Sequence, residues 1–255
     1  MVENLHDVGK KKVKQVRMVI EPDLVHPLLR GRDVGRWRAK PSACILMVQD
    51  PTKPSIGFNE TQLKVLYPLT YAYLKEFEDM LRERSGYRKY FDSQKAPFYS
   101  MYDVGPYTFA PYKVVWREQA SLLTVAVIEP RDTATIMPDH KLMLVDCQDM
   151  DEAHYLCALL NSSFTQHIVK SYGIGVQIDT HILEHVSIPK YDPEDPLHHA
   201  LSLLSQRAHQ LAAFGESSEK ELHQVEEEID RQAAELWGLT DKELKEIQTS
   251  LKEIS

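Results

Sequence analysis

The stretch YKVVWREQASLLTVAVIE, residues 112–129, lies in the strand-rich middle of this chain. It contains two runs of β-branched and apolar residues, 112–118 and 122–129, separated by turn-forming residues, and KLMLVDC (141–147) adds a third run. Asp149 and Glu152 then form a capping box that opens the helix EAHYLCALLNSSF. The sequence therefore predicts a mixed α/β (α+β) fold with a mixed or antiparallel sheet and flanking helices.

An amphipathic helix is predicted upstream of these strands. Thr70, Leu74, Phe77 and Leu81 follow a spacing of four, three and four residues, which defines one buried face. Asn59 is suited to cap a preceding helix, and Pro68 is expected to kink or restart it because proline fits best in a first turn. Gly86 is expected to end the helix.

The C-terminal part is predicted to be helical. SIPKYDPEDP (187–196) has three prolines in ten residues and is expected to be a linker. Two apolar stripes and a second capping box, Thr240 with Glu243, follow it. We therefore expect a body over residues 1–190 and a helical tail over residues 191–255, which is a candidate dimerisation or subunit-docking segment.

Composition limits the classes of protein and the compartment. The hydrophobic fraction of 43% suffices for a packed core. The longest apolar run, Leu122 to Ile128, is too short to span a bilayer, and the N-terminus lacks a signal-peptide core. The three cysteines form no C-x-x-C pair. These features predict a cytoplasmic protein with no membrane partner.

Charge is distributed unevenly along the chain. The net charge is +5 over residues 1–130 and −13 over residues 131–255, which together give −8 for the whole chain. Because charges in solution are screened beyond about 8–10 Å, a basic half can bind phosphate while an acidic tail faces solvent or a partner. A chance difference between the halves is the alternative.

Signatures of catalysis are weak. No P-loop is present, and Cys and His residues do not recur at the short spacings that zinc requires. Asp132 with Asp139 and Lys141 loosely resembles a nuclease motif in which carboxylates hold Mg²⁺. Such short matches arise often by chance. We therefore expect no catalytic residue, no metal and no cofactor in this chain.

Basic and aromatic residues are interleaved in two segments. PLLRGRDVGRWRAK (27–40) carries five cations and one acid, and a second cluster lies between residues 82 and 90. Arginine matches phosphate and guanine edges, and aromatic rings offer faces to bases. The predicted DNA-binding residues are Arg30, Arg32, Arg36, Trp37, Arg38, Lys40, Arg82, Arg84, Tyr87, Arg88, Lys89, Tyr90 and Lys113. Internal ion pairs, core tyrosines and an interdomain hinge at 27–40 remain alternatives.

Several blocks of the sequence resemble a known family. The blocks are PLLRGRDVGRW, YAYLKEFEDMLRERSGY, PYKVVWRE, EAHYLCALLNSS and SIPKYDPEDPLHHALSLLS. In this order they resemble the TaqI-like C-terminal specificity domain, the target-recognition domain of N6-adenine DNA methyltransferases in restriction-modification systems. GIGVQIDTHILEHVSIP is also similar to a segment of type I specificity subunits, and VEEEIDRQAAELWGLTDKELKEI is similar to helical ends of the same methyltransferases. The resemblance covers roughly residues 20–250.

The resemblance implies a recognition domain without its catalytic partner. Family members carry an F-x-G-x-G-like S-adenosylmethionine loop and an [N/D]-P-P-[Y/F] motif, and this chain has no Pro-Pro dipeptide. We therefore expect sequence-specific binding of double-stranded DNA here. S-adenosylmethionine would bind the methyltransferase domain of the parent protein, and a methyltransferase domain or subunit and a restriction subunit are the implied protein partners. The alternative is a protein-interaction module that docks such a subunit through its acidic helical tail.

Overall fold

The computed structural model describes residues 1–9, 11–50, 52–130, 134–172, 178 and 184–253. The chain divides into two units, of which the first comprises Met1–His26 and Cys44–Phe109 and the second comprises Pro27–Ala43 and Ala110–Ser255. This division differs from the one expected after residue 190, because the predicted tail belongs to the second unit. None of the helices in the described ranges is both long enough and apolar enough to cross a membrane.

The strands of both units are short. They are β1 (Val2–Glu3), β2 (Arg17–Met18), β3 (Val25–Leu29), β4 (Val34–Gly35), β5 (Arg38–Ala39), β6 (Ala43–Leu46), β7 (Gln49–Asp50), β8 (Lys53–Gly57), β9 (Tyr112–Arg117), β10 (Val125–Ile128), β11 (Met137–Pro138) and β12 (Leu142–Cys147). The helices are α1 (Glu60–Leu66), α2 (Pro68–Lys75), α3 (Glu78–Arg82), α4 (Ser85–Tyr90), α5 (Met150–Asn161), α6 (Ser163–Tyr172), α7 (Pro196–Phe214), α8 (Glu219–Leu236) and α9 (Asp241–Glu253).

An antiparallel sheet of three strands forms the centre of the second unit. β9 lies between β10 and β12, with Trp116 opposite both Val125 and Met143. One face of this sheet packs against α5, α7 and α8 in a core that includes Trp116, Tyr155 and Leu201. The three predicted strands, the helix after Asp149 and the mixed α/β fold class are thus confirmed.

The opposite face of the sheet is covered by the segment that carries the basic stretch. Val115 and Ala126 pack here against Leu29 and Val34, and all four side chains are buried. The Leu28–Leu29 end of β3 also pairs in parallel with β11. Because burial of an aliphatic side chain contributes about 1.5–3 kcal/mol, these contacts hold both ends of the turn that follows β3.

The first unit is built from α1–α4 around an aromatic core. The core includes Leu63, Leu74, Tyr87, Phe91 and Phe98. Two antiparallel strand pairs, β1 with β2 and β7 with β8, belong to the same unit.

The predicted helix boundaries in the first unit are confirmed only in part. Asn59 caps α1 by accepting from Thr61 N (2.9 Å), and α2 begins at Pro68. The prediction of one continuous helix over 70–81 is wrong, because the backbone at Phe77 is not helical (φ −120°, ψ 9°). Gly86 lies inside α4 and does not end a helix.

The predicted tail forms three helices within the second unit. Leu201 and Ala208 of α7 and Ile229 and Ala233 of α8 are buried in the same core as Trp116. At the start of α9, Thr240 and Glu243 exchange hydrogen bonds as the capping box predicts. The apolar stripes of the tail are therefore part of the core of the second unit.

Candidate nucleic-acid interface

The basic stretch of the second unit forms a tight turn followed by a small hairpin. After β3 the chain makes a 3₁₀ turn over Gly31–Asp33, and β4 then pairs with β5. Asp33 holds the turn by accepting from Arg30 N (2.9 Å) and Ser42 Oγ (2.5 Å). The Arg30 guanidinium donates to Ser42 Oγ (2.6 Å) and pairs with Asp33 at 3.6 Å. Asp33, the only acid of the stretch, therefore stabilises the turn through contacts within the stretch and with Ser42.

The electrostatics of Asp33 agree with this role. Burial alone would raise the pKa of its carboxyl group. Hydrogen bonds from Ser42 and Arg30, and the charges of Arg30 and Arg32, outweigh burial and lower that pKa below its usual value. Asp33 is therefore ionised at neutral pH, and its charge is compensated within the turn.

Arg36 and Trp37 contact the tail helix α8. Trp37 is 1% exposed and has a positive φ of 59°. Its Nε1–H donates to Glu226 Oε1 (2.7 Å), and Arg36 forms an ion pair with the same carboxylate. The backbone N–H of Trp37 donates to Val125 O (3.0 Å). A buried ring cannot stack on a base, so we leave Trp37 out of the interface and treat Arg36 as a support for the hairpin.

Arg32, Arg38 and Lys40 are the exposed cations of the hairpin. They line an open groove of about 560 Å³ together with Asp33, Gly35 and Ser42. In the part of the chain that the structure describes, none of these three side chains forms a hydrogen bond or an ion pair, although the charge of Arg32 contributes to lowering the pKa of Asp33. Three exposed cations and one acid, which is already bound by Ser42 and Arg30, therefore share one surface of the second unit.

Lys113 lies inside the second unit. It is fully buried in β9, and its Nζ donates to Ala110 O (2.6 Å) and Ile136 O (3.2 Å). Burial lowers the pKa of this amine to about 8, against the opposing charge of Asp146. Because no DNA group reaches a buried ammonium, we remove Lys113 from the predicted contacts.

Three of the predicted DNA-binding residues in the first unit are buried or bound to other residues of that unit. Arg84 donates to Leu81 O (2.9 Å), Phe98 O (2.8 Å) and Ser100 O (2.9 Å), and burial lowers the pKa of its guanidinium. Tyr87 is 2% exposed. Arg82 is exposed, but it forms two hydrogen bonds to Glu78 Oε1, at 2.7 and 2.9 Å. These side chains stabilise the first unit.

The remaining predicted residues of the first unit form an aromatic and basic surface. Arg88 and Lys89 are exposed, and Lys89 Nζ lies 4.9 Å from the centre of the Tyr90 ring. The Tyr90 ring stacks on Tyr102, with centroids 4.0 Å apart and planes at 7°. Tyr102 is 56% exposed and was absent from the predicted contacts, although a run of tyrosines after residue 98 was the available signal.

The nuclease-like residues do not form a described metal site. Asp132 lies outside the described residues. The Asp139 carboxylate accepts from Lys141 N (2.7 Å) and closes the turn before β12. Across the described ranges, no group of three or more His, Cys, Asp or Glu side chains is arranged to hold a metal ion.

The chain is similar to parts of known proteins in sequence and in fold. No family model matches the chain. Over 152 residues, 60% of this chain, the sequence is 26% identical to part of the type II methyltransferase M.NspV from Nostoc sp.. The fold is similar to part of the type IIL restriction-modification enzyme MmeI, solved in complex with DNA (TM-score 0.56, 11% identity, 85% of this chain).

The chain spans 30% of the length of M.NspV and 28% of the MmeI chain. The chain is thus similar in sequence to part of a type II methyltransferase and similar in fold to part of MmeI.

Proposed function

We propose that this chain is the DNA-recognition part of a restriction-modification methyltransferase and binds duplex DNA through the groove of Arg32, Arg38 and Lys40. The observation that carries the proposal is that three exposed cations line one groove in which the only acid among the lining residues, Asp33, is already bound by Ser42 and Arg30. Cations on phosphates supply affinity that depends on salt, and they fix the register of a protein on the duplex. A groove with an excess of positive charge is suited to this task.

The chemistry of the two arginines suits more than phosphate binding. A guanidinium donates two parallel hydrogen bonds, which match either a phosphate or the O6 and N7 atoms of guanine. Lys40 is a point charge and is best suited to phosphate. We therefore assign Lys40 to the DNA backbone, and Arg32 and Arg38 to the backbone or to base edges at the groove rim.

The first unit contributes a second contact surface in this proposal. Arg88 and Lys89 supply charge, and the exposed Tyr102 ring, stacked on the half-buried Tyr90 ring, supplies an aromatic surface beside it. Because the two rings stack on each other, their packing already fixes their orientation, so less side-chain entropy is lost when DNA binds.

The finer proposal is a TaqI-like specificity domain of an N6-adenine methyltransferase. Both the resemblance of the sequence blocks and the similarity to M.NspV support it. In such an enzyme, S-adenosylmethionine and the flipped adenine would bind a separate domain, and this chain would carry out no chemistry. No residue described above is assigned a catalytic role.

Fluorescence anisotropy with a labelled mixed-sequence duplex of about 30 base pairs, roughly three helical turns, tests the proposal. We expect Arg38→Gln/Lys40→Gln to weaken binding by about tenfold or more, which is 1.4 kcal/mol or more. Lys242→Gln/Lys245→Gln in α9 removes the same charge from an exposed surface and is the matched control. Equal affinity of both double variants for the duplex would refute the assignment of the groove.

Docking of a protein subunit is the competing function. The acidic composition of the tail supports this alternative. In it, the cations of the basic hairpin would pair with acidic residues of another domain of the parent protein. Deletion of residues 197–255 is a poor test, because Leu201 and Ile229 belong to the core. Size-exclusion chromatography of Glu219→Lys/Glu221→Lys with the parent methyltransferase domain is a sharper one, since these side chains are exposed. Loss of assembly with unchanged DNA affinity would favour docking.

A further inference from the structure

We infer that Arg117 and Lys141 form a phosphate-binding site beside Gly31, next to the groove of Arg32, Arg38 and Lys40. This inference rests on the proposed function and deepens it. It adds two residues to which the sequence pattern gave no role in DNA binding. The ligand is a phosphodiester group of duplex DNA.

Gly31 is the point at which these residues meet. A Cβ atom at position 31 would lie 3.5 Å from Lys141 Cβ and 3.9 Å from Arg117 Cγ. Arg117 is the last residue of β9 and pairs with Leu142 of β12, so Lys141 lies just before the same ladder. Arg32 follows Gly31 directly and lines the hairpin groove. The stems of Arg117 and Lys141 therefore lie beside the turn that carries the groove.

Neither cation is compensated within the described residues. The Nε–H of Arg117 is buried and has no hydrogen-bond acceptor there, and the ammonium of Lys141 is exposed and forms no ion pair. The backbone N–H of Glu118 donates to Lys141 O (3.1 Å), and the Glu118 carboxylate forms no described ion pair with either cation. The Arg117 side chain as a whole is half-buried, and its terminal guanidinium nitrogens are not among the buried unpaired atoms, so an anionic oxygen from outside can reach them.

The two nearby acids on the turns are already engaged. Asp139 accepts from Lys141 N (2.7 Å), and Asp33 accepts from Ser42 and from the Arg30 backbone. Neither acid forms a described ion pair with Arg117 or Lys141. A guanidinium donates two parallel hydrogen bonds to a phosphate, and an ammonium adds a point charge.

The neighbouring groove indicates a polymer rather than a free phosphate ion. Three more exposed cations lie on the adjacent turn and hairpin, and phosphates of one DNA strand follow each other at about 3.4 Å of rise. Cations in the hairpin groove together with Arg117 and Lys141 beside Gly31 are suited to several phosphates. One inorganic phosphate would use only some of these cations.

The test measures duplex binding by the full chain over a series of NaCl concentrations. Arg117→Gln/Lys141→Gln is expected to weaken binding about tenfold and to reduce the slope of log Kd against log [NaCl] by roughly 1–2. Arg117→Lys keeps the charge and is expected to keep most of the slope. Lys242→Gln/Lys245→Gln is the control, and circular dichroism verifies that each variant is folded.

The outcomes separate the inference from the proposed function. If Arg38→Gln/Lys40→Gln weakens binding but Arg117→Gln/Lys141→Gln changes neither affinity nor slope, the inference is overturned and the proposed function stands. If the wild-type chain does not bind the duplex, both are overturned. Calorimetry with inorganic phosphate tests the other source of the ligand. Phosphate binding that is lost in Arg117→Gln/Lys141→Gln while DNA affinity is unchanged would also overturn the inference.

Discussion

Trp37 and Glu226, which are 189 positions apart in the chain, are joined by a 2.7 Å hydrogen bond from the indole Nε1–H to the carboxylate. The same carboxylate pairs with Arg36, so one side chain of α8 holds the loop between β4 and β5. The exposed cations Arg38 and Lys40 follow directly. The helical tail thereby positions the surface that we propose for DNA binding.

Removal of the Glu226 charge is expected to destabilise the second unit. Glu226→Gln keeps an acceptor for Trp37 but loses the ion pair with Arg36. Since hydrogen bonds to charged groups contribute about 1.5–3 kcal/mol, we expect a loss of about 1–2 kcal/mol in the free energy of unfolding. Urea denaturation followed by circular dichroism measures it. Glu227→Gln, on the exposed side of the same helix, is expected to change stability by less than about 0.5 kcal/mol. Equal effects of the two substitutions would contradict the anchoring role.

Arg84 is expected to act on stability rather than on DNA. Its guanidinium donates to three carbonyl oxygens from two nitrogens, Nε and Nη2, and the single nitrogen of a lysine ammonium cannot occupy both positions. Arg84→Lys should therefore lower the free energy of unfolding by about 2 kcal/mol or more, because buried acceptors lose their donors. Arg88→Lys at the exposed neighbouring position is the control. A folded Arg84→Lys variant with unchanged stability would show that these bonds are dispensable.

The lowered pKa of the buried Lys113 amine is expected to make the stability of the chain depend on pH. Its pKa is about 8 in the folded chain against an ordinary value of 10.5, so the unfolded state binds the proton more tightly. Burying the charged amine therefore lowers the free energy of unfolding. This loss of stability is complete below pH 8 and is removed as pH rises from 8 to 10.5. Over that window the stability contributed by this group rises by about 3 kcal/mol.

Lys113→Met removes this titration. We expect the stability of the wild type relative to Lys113→Met to increase with pH between 8 and 10.5. Urea denaturation of both proteins at several pH values measures the difference. A flat difference for Lys113→Met would mean that the amine titrates normally in the folded chain.

Periodic apolar patterns explain why much of the fold was predictable. The strands at 112–117, 125–128 and 142–147 and the helices of the tail have patterns that extend over several residues and end at capping residues. The helix predicted over 70–81 failed because its pattern of buried residues continues through Phe77, where the backbone does not. Apolar spacing reports which side chains are buried and does not report every break in the hydrogen-bond ladder.

The candidate site was predictable only as a region. Arg36 and Arg38 are two residues apart and look equivalent in the sequence, yet one pairs with Glu226 and the other is exposed. The partner that makes this difference is far away in the chain. Lys113 is similar, since its acceptors are backbone carbonyl groups that no sequence pattern marks.

If the exposed hairpin cations bind DNA phosphates, as we propose, their removal changes the salt dependence of duplex binding. The measurement compares the slope of log Kd against log [NaCl] for the wild type and for Arg32→Gln/Arg38→Gln/Lys40→Gln, with the same mixed-sequence duplex. Each lost phosphate contact is expected to reduce the slope by about 0.9, so we predict a reduction of roughly 2–3 together with weaker binding. A slope and an affinity equal to those of the wild type, in a variant that remains folded, would contradict the account.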